Sequence, residues 1–195
     1  MTNENSPALE YARRVYDGVM DWYKNADSKA QVILTLDGAF LAFLTSSIFM
    51  EQYELSKILS RFGVETWLLL ALMCTTLAGS ILSAILCLWS RVYAGDKLDG
   101  ILRSGGVEVN KSETYKPQFM FFFQFLSRLH PEQMAEKLSA VTEKYEIEAL
   151  AYQSRILSEN VMRKHYWVNK GFVLAGLSLL LFLGAGISYV VRVNG

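Results

Sequence analysis

The chain has 195 residues, a formal net charge of zero at pH 7, hydrophobic residues at 52% of its positions and a mean hydropathy of +0.20. The balanced charge gives no reason to expect a nucleic-acid-binding protein. A soluble domain of this size rarely carries three apolar runs of about twenty residues, so the composition favours a membrane protein. No signal peptide is predicted, because the polar residues Met1–Pro7 are not followed by an apolar segment.

The first predicted element is a helix that begins at Ser6 and Pro7, with serine as N-cap and proline at the first helical position. Residues 1–30 are expected to form a cytoplasmic amphipathic helix. Its acidic and basic residues are balanced, which favours packing within the aqueous domain over lying on a membrane surface. The predicted packing face consists of apolar residues at three- and four-residue spacing: Ala8, Ala12, Val15, Val19, Trp22 and Ala26.

Three apolar segments are long enough to cross the hydrocarbon core as helices, at a rise of about 1.5 Å per residue. The predicted transmembrane helices are residues 31–50, 67–90 and 167–192. Residues 51–66 form a short polar connection between the first two, and residues 91–166 form an insert before the third.

The distribution of basic residues predicts the orientation. Of the nineteen lysines and arginines, only Lys57, Arg61 and Arg192 lie outside residues 1–30 and 91–170. The positive-inside rule therefore places the N-terminal helix and the insert on the cytoplasmic side. The loop at 51–66 and the C-terminus then lie on the opposite side of the membrane.

The insert is predicted to be a small, mainly helical domain. Phe119–Leu126 is a short apolar run with strand character, and we expect it at the buried centre of this domain. A helix is predicted to begin at His130–Glu132. From Glu143 the pattern keeps helical spacing into the third span without a breaker. The predicted fold is an all-α membrane protein with three transmembrane helices and a cytoplasmic domain formed by the N-terminal helix and the insert.

No enzyme motif is found in the sequence. A phosphate-binding glycine loop, a zinc-ligand spacing and a nucleophile with an adjacent base are all missing. We therefore expect no catalytic residues, metal or cofactor. Cys74 and Cys87 fall in one apolar helix and are expected to be packing residues rather than a disulfide or metal site.

The helix that enters the first span is predicted to couple the aqueous domain to the bilayer. Its charged residues lie where a helix would leave water and enter lipid. The segment that we expect to carry this coupling comprises Ala26, Asp27, Lys29 and Ala30.

Polar residues inside the first span suggest a pore. Asp37 lies about two turns into the lipid, where a carboxylate is costly and usually faces protein or water. Three helices of one protomer would struggle to shelter it, so we expect self-association around a wet axis. Asp37, Thr35 and Gly38 are the predicted pore or gate residues.

Basic residues around the insert are candidates for binding a phosphate-containing ligand. The planar fork of arginine suits phosphate oxygens. The candidate nucleotide-binding residues are Arg91, Arg103, Arg128, Arg155, Arg163 and Lys164.

Several segments occur in an order that is typical of one family. They are Ala26–Ala30 (ADSKA), Leu36–Ala39, Phe122–Phe123, His130–Glu132, and the last helix through Ala149, Tyr152, Gln153 and Ile156 towards Lys164. In these segments, and in its order of two spans, insert and final span, the chain resembles the PycTM-like transmembrane effectors of the bacterial Pycsar antiphage system.

The resemblance implies a multi-pass protein of the bacterial inner membrane, with a cytoplasmic N-terminus and a periplasmic C-terminus. It implies an effector that senses a nucleotide or oligonucleotide made by a neighbouring nucleotidyltransferase or cyclase and then impairs the membrane. The ligand would either open the assembly or hold it shut until infection removes it. The expected partners are membrane lipid, the nucleotide signal and further copies of the chain, as a homo-oligomer expected to be a tetramer.

The alternative function is a non-conducting membrane scaffold that recruits a soluble partner through its cytoplasmic domain. A secondary transporter is disfavoured because the sequence contains no inverted repeat.

Overall fold

A computed structural model describes residues 6–46, 56, 58–90, 100, 116–120, 123–127 and 131–194, and these residues contain no strand. The fold is all-helical, as predicted. The helices are α1 (Pro7–Ser46), α2 (Val64–Leu88), α3 (Phe123–Leu126), α4 (Pro131–Ser139) and α5 (Glu143–Asn194), with a 3₁₀ turn at Pro117–Phe119.

The start of α1 follows the predicted capping. The backbone N–H of Leu9 donates to Ser6 Oγ at 3.3 Å, and the N–H of Glu10 donates to the Ser6 carbonyl at 3.1 Å. These bonds satisfy donors that the first turn of a helix leaves unpaired. From this cap, α1 continues for 40 residues to Ser46.

The chain divides into two compact units. Residues 1–23 and 90–161 form the insert unit, and residues 24–89 and 162–195 form the span unit. The long helices α1 and α5 each contribute residues to both units. The predicted continuity of the last helix from Glu143 into the third span is confirmed, since α5 runs 52 residues without a break.

The span unit is built from three helices whose buried residues recur at alternating four- and three-residue spacing. This is the spacing of helices that pack along one seam, as in a coiled coil. On α1 the buried residues are Ala26, Ala30, Ile33 and Asp37. On α2 they include Met73, Leu77, Ser80, Ala84 and Cys87, and on α5 they include Lys164, Val168, Gly171, Ser178 and Ala185.

Among the described helices, α2 and α5 are long and apolar enough to cross a membrane. Only 28% of the most apolar window of α2 and 11% of that of α5 is buried within the protomer. A core helix of a soluble protein would be mostly buried, so this exposed apolar surface favours a membrane protein. The second predicted span, residues 67–90, corresponds to Val64–Leu88, and the third lies within α5.

The first predicted span, residues 31–50, is described only as far as Ser46. Residues 31–46 of α1 extend about 24 Å, less than the roughly 30 Å of a hydrocarbon core. Residues 47–50, and residues 51–55 and 57 of the predicted loop at 51–66, lie outside the described residues. The count of three spans therefore stays a prediction.

The insert unit buries the aromatic run, but the predicted strand character is wrong. Phe119 closes the 3₁₀ turn, its N–H donating to the Lys116 carbonyl at 3.0 Å, and Phe125 lies in α3. The two rings are buried and pack edge to face, with their centroids 5.1 Å apart. Hydrogen bonds within local turns pair backbone groups of this segment, whereas a strand would need a neighbouring strand to pair its backbone N–H and C=O groups.

The packing face of α1 in the insert unit differs from the predicted stripe. Val15 and Trp22 are 40% and 59% exposed, whereas Leu9 is buried. The face that turns inward includes Arg13, whose Nε and Nη2 atoms lie 2.8 and 2.7 Å from Oε1 of Glu146 on α5. The prediction from the spacing of apolar residues placed this face wrongly, because the Arg13–Glu146 ion pair occupies part of it.

Candidate functional site

The predicted coupling segment lies at the entrance of the three-helix seam. Ala26 and Ala30 of α1 are fully buried, and they cluster with Ala84 and Cys87 of α2 and Val168 of α5. Alanine at these positions permits a close approach of the helix backbones. The segment is therefore the point at which α1 is fixed against both other helices of the span unit.

An ion pair between α1 and α5 lies beside these alanines. Lys164 Nζ donates to Asp27 Oδ1, with 5% of the lysine side chain and 28% of the aspartate side chain exposed. A buried ammonium group is costly unless a charged partner balances it. Asp27 supplies that partner, so Lys164 is placed by the structure as a helix-joining residue. Lys29, also predicted to belong to the coupling segment, is partly exposed.

Cys87 adds a further contact between α2 and α1. Its buried Sγ lies 3.7 Å from the carbonyl oxygen of Ala26, a distance at which a thiol acts as a weak donor. Cys87 is a packing residue, as expected, and forms no disulfide. Cys74, on the same helix, is exposed and is also a free cysteine.

Asp37 is buried inside a single protomer, with an exposed fraction of 3%. The hydroxyl of Ser80 on α2 is its hydrogen-bonding neighbour, and its Oδ2 atom has no hydrogen-bond partner among the described residues. The expectation that one protomer would struggle to shelter Asp37 is therefore wrong. No local pattern indicates how α1 and α2 pair, and this pairing places Ser80 against the carboxyl.

The three predicted pore residues do not share one environment. Thr35 is exposed, and its hydroxyl donates to the Gln31 carbonyl of its own helix at 2.9 Å. Gly38 is also exposed, whereas Asp37 points into the seam. Their assignment to a pore or gate stays a prediction.

Gly171 contacts Ser80, the neighbour of Asp37, and was not identified as a site residue from the sequence. Its carbonyl oxygen accepts a hydrogen bond from Ser80 Oγ at 3.0 Å. A Cβ atom at position 171 would lie 2.9 Å from Ile33 Cδ1, so the backbone of α5 approaches α1 as closely as glycine allows. The recurrence of Lys164, Val168 and Gly171 at four- and three-residue spacing was the available sequence signal.

The candidate nucleotide-binding residues are only partly described. Arg91, Arg103 and Arg128 lie outside the described residues. Arg155 is exposed, and its Nε lies 3.8 Å from Glu159 Oε1, one turn along α5. These residues stay predictions as ligands of phosphate.

Arg163 and Lys164 occupy adjacent positions on α5 and differ in their surroundings. Arg163 is partly exposed, and its Nε is buried without a hydrogen-bond partner among the described residues. Lys164 is held by Asp27. Of the two, Arg163 therefore retains more capacity to bind an anion.

The chain was compared with known protein families. A family model described as Pycsar effector protein domain matches residues 11–191. The matched range contains the coupling segment, the Asp37–Ser80–Gly171 contact and the insert. No curated protein and no solved structure matched the chain.

Proposed function

Because this chain belongs to the Pycsar effector family, whose model covers residues 11–191, we propose that it is a membrane effector of a cyclic-nucleotide-signalled antiphage system. The family match is the observation that carries this proposal. The outward apolar surface of α2 and α5 supports a site of action in the membrane. In the proposed function the chain acts by binding and assembly and performs no catalysis.

The proposed mode of action is an oligomeric pore in the bacterial inner membrane. Three helices are too few to enclose a channel, so several copies, with a tetramer as the first stoichiometry to test, would surround it. Gly176 and Gly186 on α5 support association, because both are exposed and nothing in the described residues lies within 4 Å of a Cβ built there. Small exposed residues allow a second helix to approach closely in lipid.

The proposed signal is a cyclic mononucleotide or an oligonucleotide made by a neighbouring cyclase or nucleotidyltransferase. The described candidates for binding its phosphates are Arg155 and Arg163, both on α5. Binding would shift residues 22–30 of α1 and 159–170 of α5. The Asp27–Lys164 ion pair joins these two segments, which supports their movement as one element.

Conductance in planar bilayers tests the pore. Purified protein is reconstituted with and without each candidate cyclic nucleotide. Current that appears with a nucleotide supports a ligand-opened effector, and current that a nucleotide suppresses supports a channel held shut by its ligand. Absence of current under every condition contradicts a pore.

Variants assign the conductance to the predicted residues. Asp37→Ala is expected to change the single-channel current, whereas Asp21→Asn, on an exposed aqueous turn of α1, is expected to leave it unchanged. If Asp37→Ala leaves both conductance and toxicity intact, the assignment of Asp37 to the pore is wrong.

A non-conducting scaffold is the second candidate function, because the insert unit supplies an aqueous surface that could bind a soluble partner. Expression in cells distinguishes the two candidates. A pore depolarises the membrane and admits propidium iodide when the nucleotide is present, whereas a scaffold does neither.

A further inference from the structure

The Ser80 hydroxyl on α2 lies between oxygen atoms of two other helices. It donates to the Gly171 carbonyl on α5 at 3.0 Å, and its other neighbour is the carboxyl of Asp37 on α1. A serine hydroxyl carries one proton and two acceptor lone pairs. Because the proton is given to Gly171, Ser80 has only a lone pair to offer Asp37.

The protonation state of Asp37 decides whether this contact is attractive. An ionised carboxylate has only acceptor oxygens, so it would be repelled by the Ser80 lone pair or would take the Ser80 proton away from Gly171. A protonated carboxyl instead donates its O–H to Ser80 Oγ. The unpartnered Oδ2 atom points the same way, since a buried oxygen without a partner costs less on a neutral group than on an ion.

We propose that Asp37 is a proton-binding site that is occupied in the packed state of the span unit. The bound proton completes a hydrogen-bond chain from the Asp37 carboxyl through Ser80 to the Gly171 carbonyl, and this chain joins α1, α2 and α5. The ligand is a proton, which the carboxylate takes from water and returns to water as it titrates. This inference does not depend on the proposed antiphage function or on conductance.

No charged side chain among the described residues faces Asp37 to hold it ionised. From α2 it meets Ser80, with Ser83 one turn further along, and from α5 the Gly171 carbonyl accepts the Ser80 proton. On its own helix the nearest charged residue is Lys29, about 12 Å away along the axis. Lys170, next to Gly171, is exposed, with its Nζ 4.4 Å from the centroid of the Tyr166 ring.

The close packing of the site favours a proton over a metal cation. Cations such as Ca²⁺ and Mg²⁺ need about six oxygen ligands at roughly 2.0–2.6 Å. Besides the Asp37 carboxyl, the oxygen atoms of this contact are the Ser80 hydroxyl and the Gly171 carbonyl, and that carbonyl is already hydrogen-bonded. The helices also approach closely one turn away on α1, because a single Cβ atom at 171 would lie 2.9 Å from Ile33 Cδ1.

Release of the proton would weaken the three-helix contact. The charged carboxylate would compete for the Ser80 proton, and the Gly171 carbonyl would lose the Ser80 donor and keep only its backbone donor within α5. Both changes favour separation of α1 from α2 and α5, or entry of water between them. Packing of the span unit is therefore expected to depend on pH through this one residue.

Infrared difference spectroscopy on the full chain in lipid nanodiscs tests the site directly. When the pH is raised until Asp37 loses its proton, the wild type is expected to lose the C=O stretching band of a protonated carboxylic acid, and Asp37→Asn should lack this band. Ser80→Ala should shift the band to higher frequency, because the acceptor of the carboxyl proton is removed. Ser83→Ala is the matched control, since Ser83 is buried on the same helix but donates to Gly79 within it at 2.8 Å.

Thermal unfolding over the same pH range provides a second readout. The Tm of the wild type is expected to fall as Asp37 loses its proton, while Asp37→Asn, whose amide N–H always donates, should lack that component. Parallel Tm profiles of the wild type and Asp37→Asn, or a carboxylic band unchanged by both Asp37→Asn and Ser80→Ala, would overturn the proposal. Should Asp37→Asn fail to fold, the band shift in Ser80→Ala against Ser83→Ala decides the outcome.

Discussion

Lys164 and Asp27 form an ion pair between α5 and α1 in which the cation is far more deeply buried than the anion. The exposed fractions of the two side chains are 5% and 28%. Water can therefore reach the aspartate more readily than the lysine. This asymmetry predicts that the loss of folding stability differs between removal of Asp27 and removal of Lys164.

Asp27→Asn is expected to destabilise the span unit more than Lys164→Met. The asparagine variant leaves a buried ammonium facing a neutral amide, and loss of one partner of a buried pair costs about 3–5 kcal/mol. Lys164→Met removes the buried charge, and the remaining carboxylate can be hydrated, so we expect a loss of about 1 kcal/mol. Thermal unfolding in detergent, followed by tryptophan fluorescence, measures both effects.

The double variant Asp27→Asn/Lys164→Met separates the ion pair from packing. Its stability should exceed that of Asp27→Asn alone, because no unbalanced charge is left. Asp21→Asn, an exposed aspartate on the same helix, is the control and should be within about 0.5 kcal/mol of the wild type. Equal losses for Asp27→Asn and Asp21→Asn would contradict a structural role for the pair.

Gly171→Ala is expected to destabilise the chain because the new methyl group meets Ile33 Cδ1 at 2.9 Å. Overpacking of a tight core costs about 1–3 kcal/mol. Ile33→Val removes the Cδ1 atom, so it should restore part of the stability when combined with Gly171→Ala. The same unfolding assay measures the two single variants and the double variant.

Gly176→Ala is the matched control for this prediction. It lies on the same helix, and nothing in the described structure lies within 4 Å of its added Cβ. Alanine is also the better helix former by about 1 kcal/mol, so stability should be unchanged or slightly raised. Similar destabilisation by both alanine variants would mean that the close approach of α5 to Ile33 does not exist in solution.

The sequence predicted the long elements better than the contacts between them. The length of α5 follows from a helical pattern without a breaker, and the start of α1 follows from Ser6 and Pro7, so both could be read locally. The shelter of Asp37 depends on which residue of α2 faces it. That register is set by packing among three helices, and no local pattern contains it.

The structure of the insert unit was harder to predict from sequence, because it too depends on contacts between distant residues. A run of aromatic residues has high strand propensity, but propensity reports how a side chain fits a pleated surface that must first exist. Phe119 and Phe125 instead pack against each other from short helical turns. The packing face of α1, which differs from the predicted apolar stripe, likewise depends on the pairing of Arg13 with a glutamate 133 residues away.

Tyr145 predicts a pH dependence of the insert unit. Burial raises the pKa of the Tyr145 phenol above its ordinary value of about 10. The unfolded chain therefore loses this proton first. The contribution of the neutral Tyr145 phenol to folding stability is therefore complete below about pH 10. It is lost as the pH rises through the higher pKa of the folded state.

Tyr145→Phe removes this group while keeping the ring that packs near Met120. The variant is expected to show a shallower fall of Tm above about pH 10 than the wild type. Tyr152→Phe is the control on the same helix, because the Tyr152 side chain is 45% exposed, and its profile should follow that of the wild type. Identical alkaline profiles for the wild type and Tyr145→Phe would contradict the burial of this phenol.

The number of spans predicts on which side of the membrane each terminus lies. An odd number puts the two termini on opposite sides, and an even number puts them on the same side. With α2 and α5 spanning, the outcome depends on whether α1 also crosses, and residues 31–46 alone extend about 24 Å. We expect three spans, with the N-terminus in the cytoplasm and the C-terminus in the periplasm.

Reporter fusions at the two ends measure this arrangement in a bacterial host. Alkaline phosphatase, which is active only after export, should be active when fused after Gly195 and inactive when fused before Met1. Green fluorescent protein, which folds in the cytoplasm, should give the reverse pattern. The matched control is a fusion at Ser90, directly after α2, where three spans with a cytoplasmic N-terminus place the chain in the cytoplasm. The same reporter result at both termini would show that α1 does not cross, and Asp37 would then be buried in a helix that enters the membrane without spanning it.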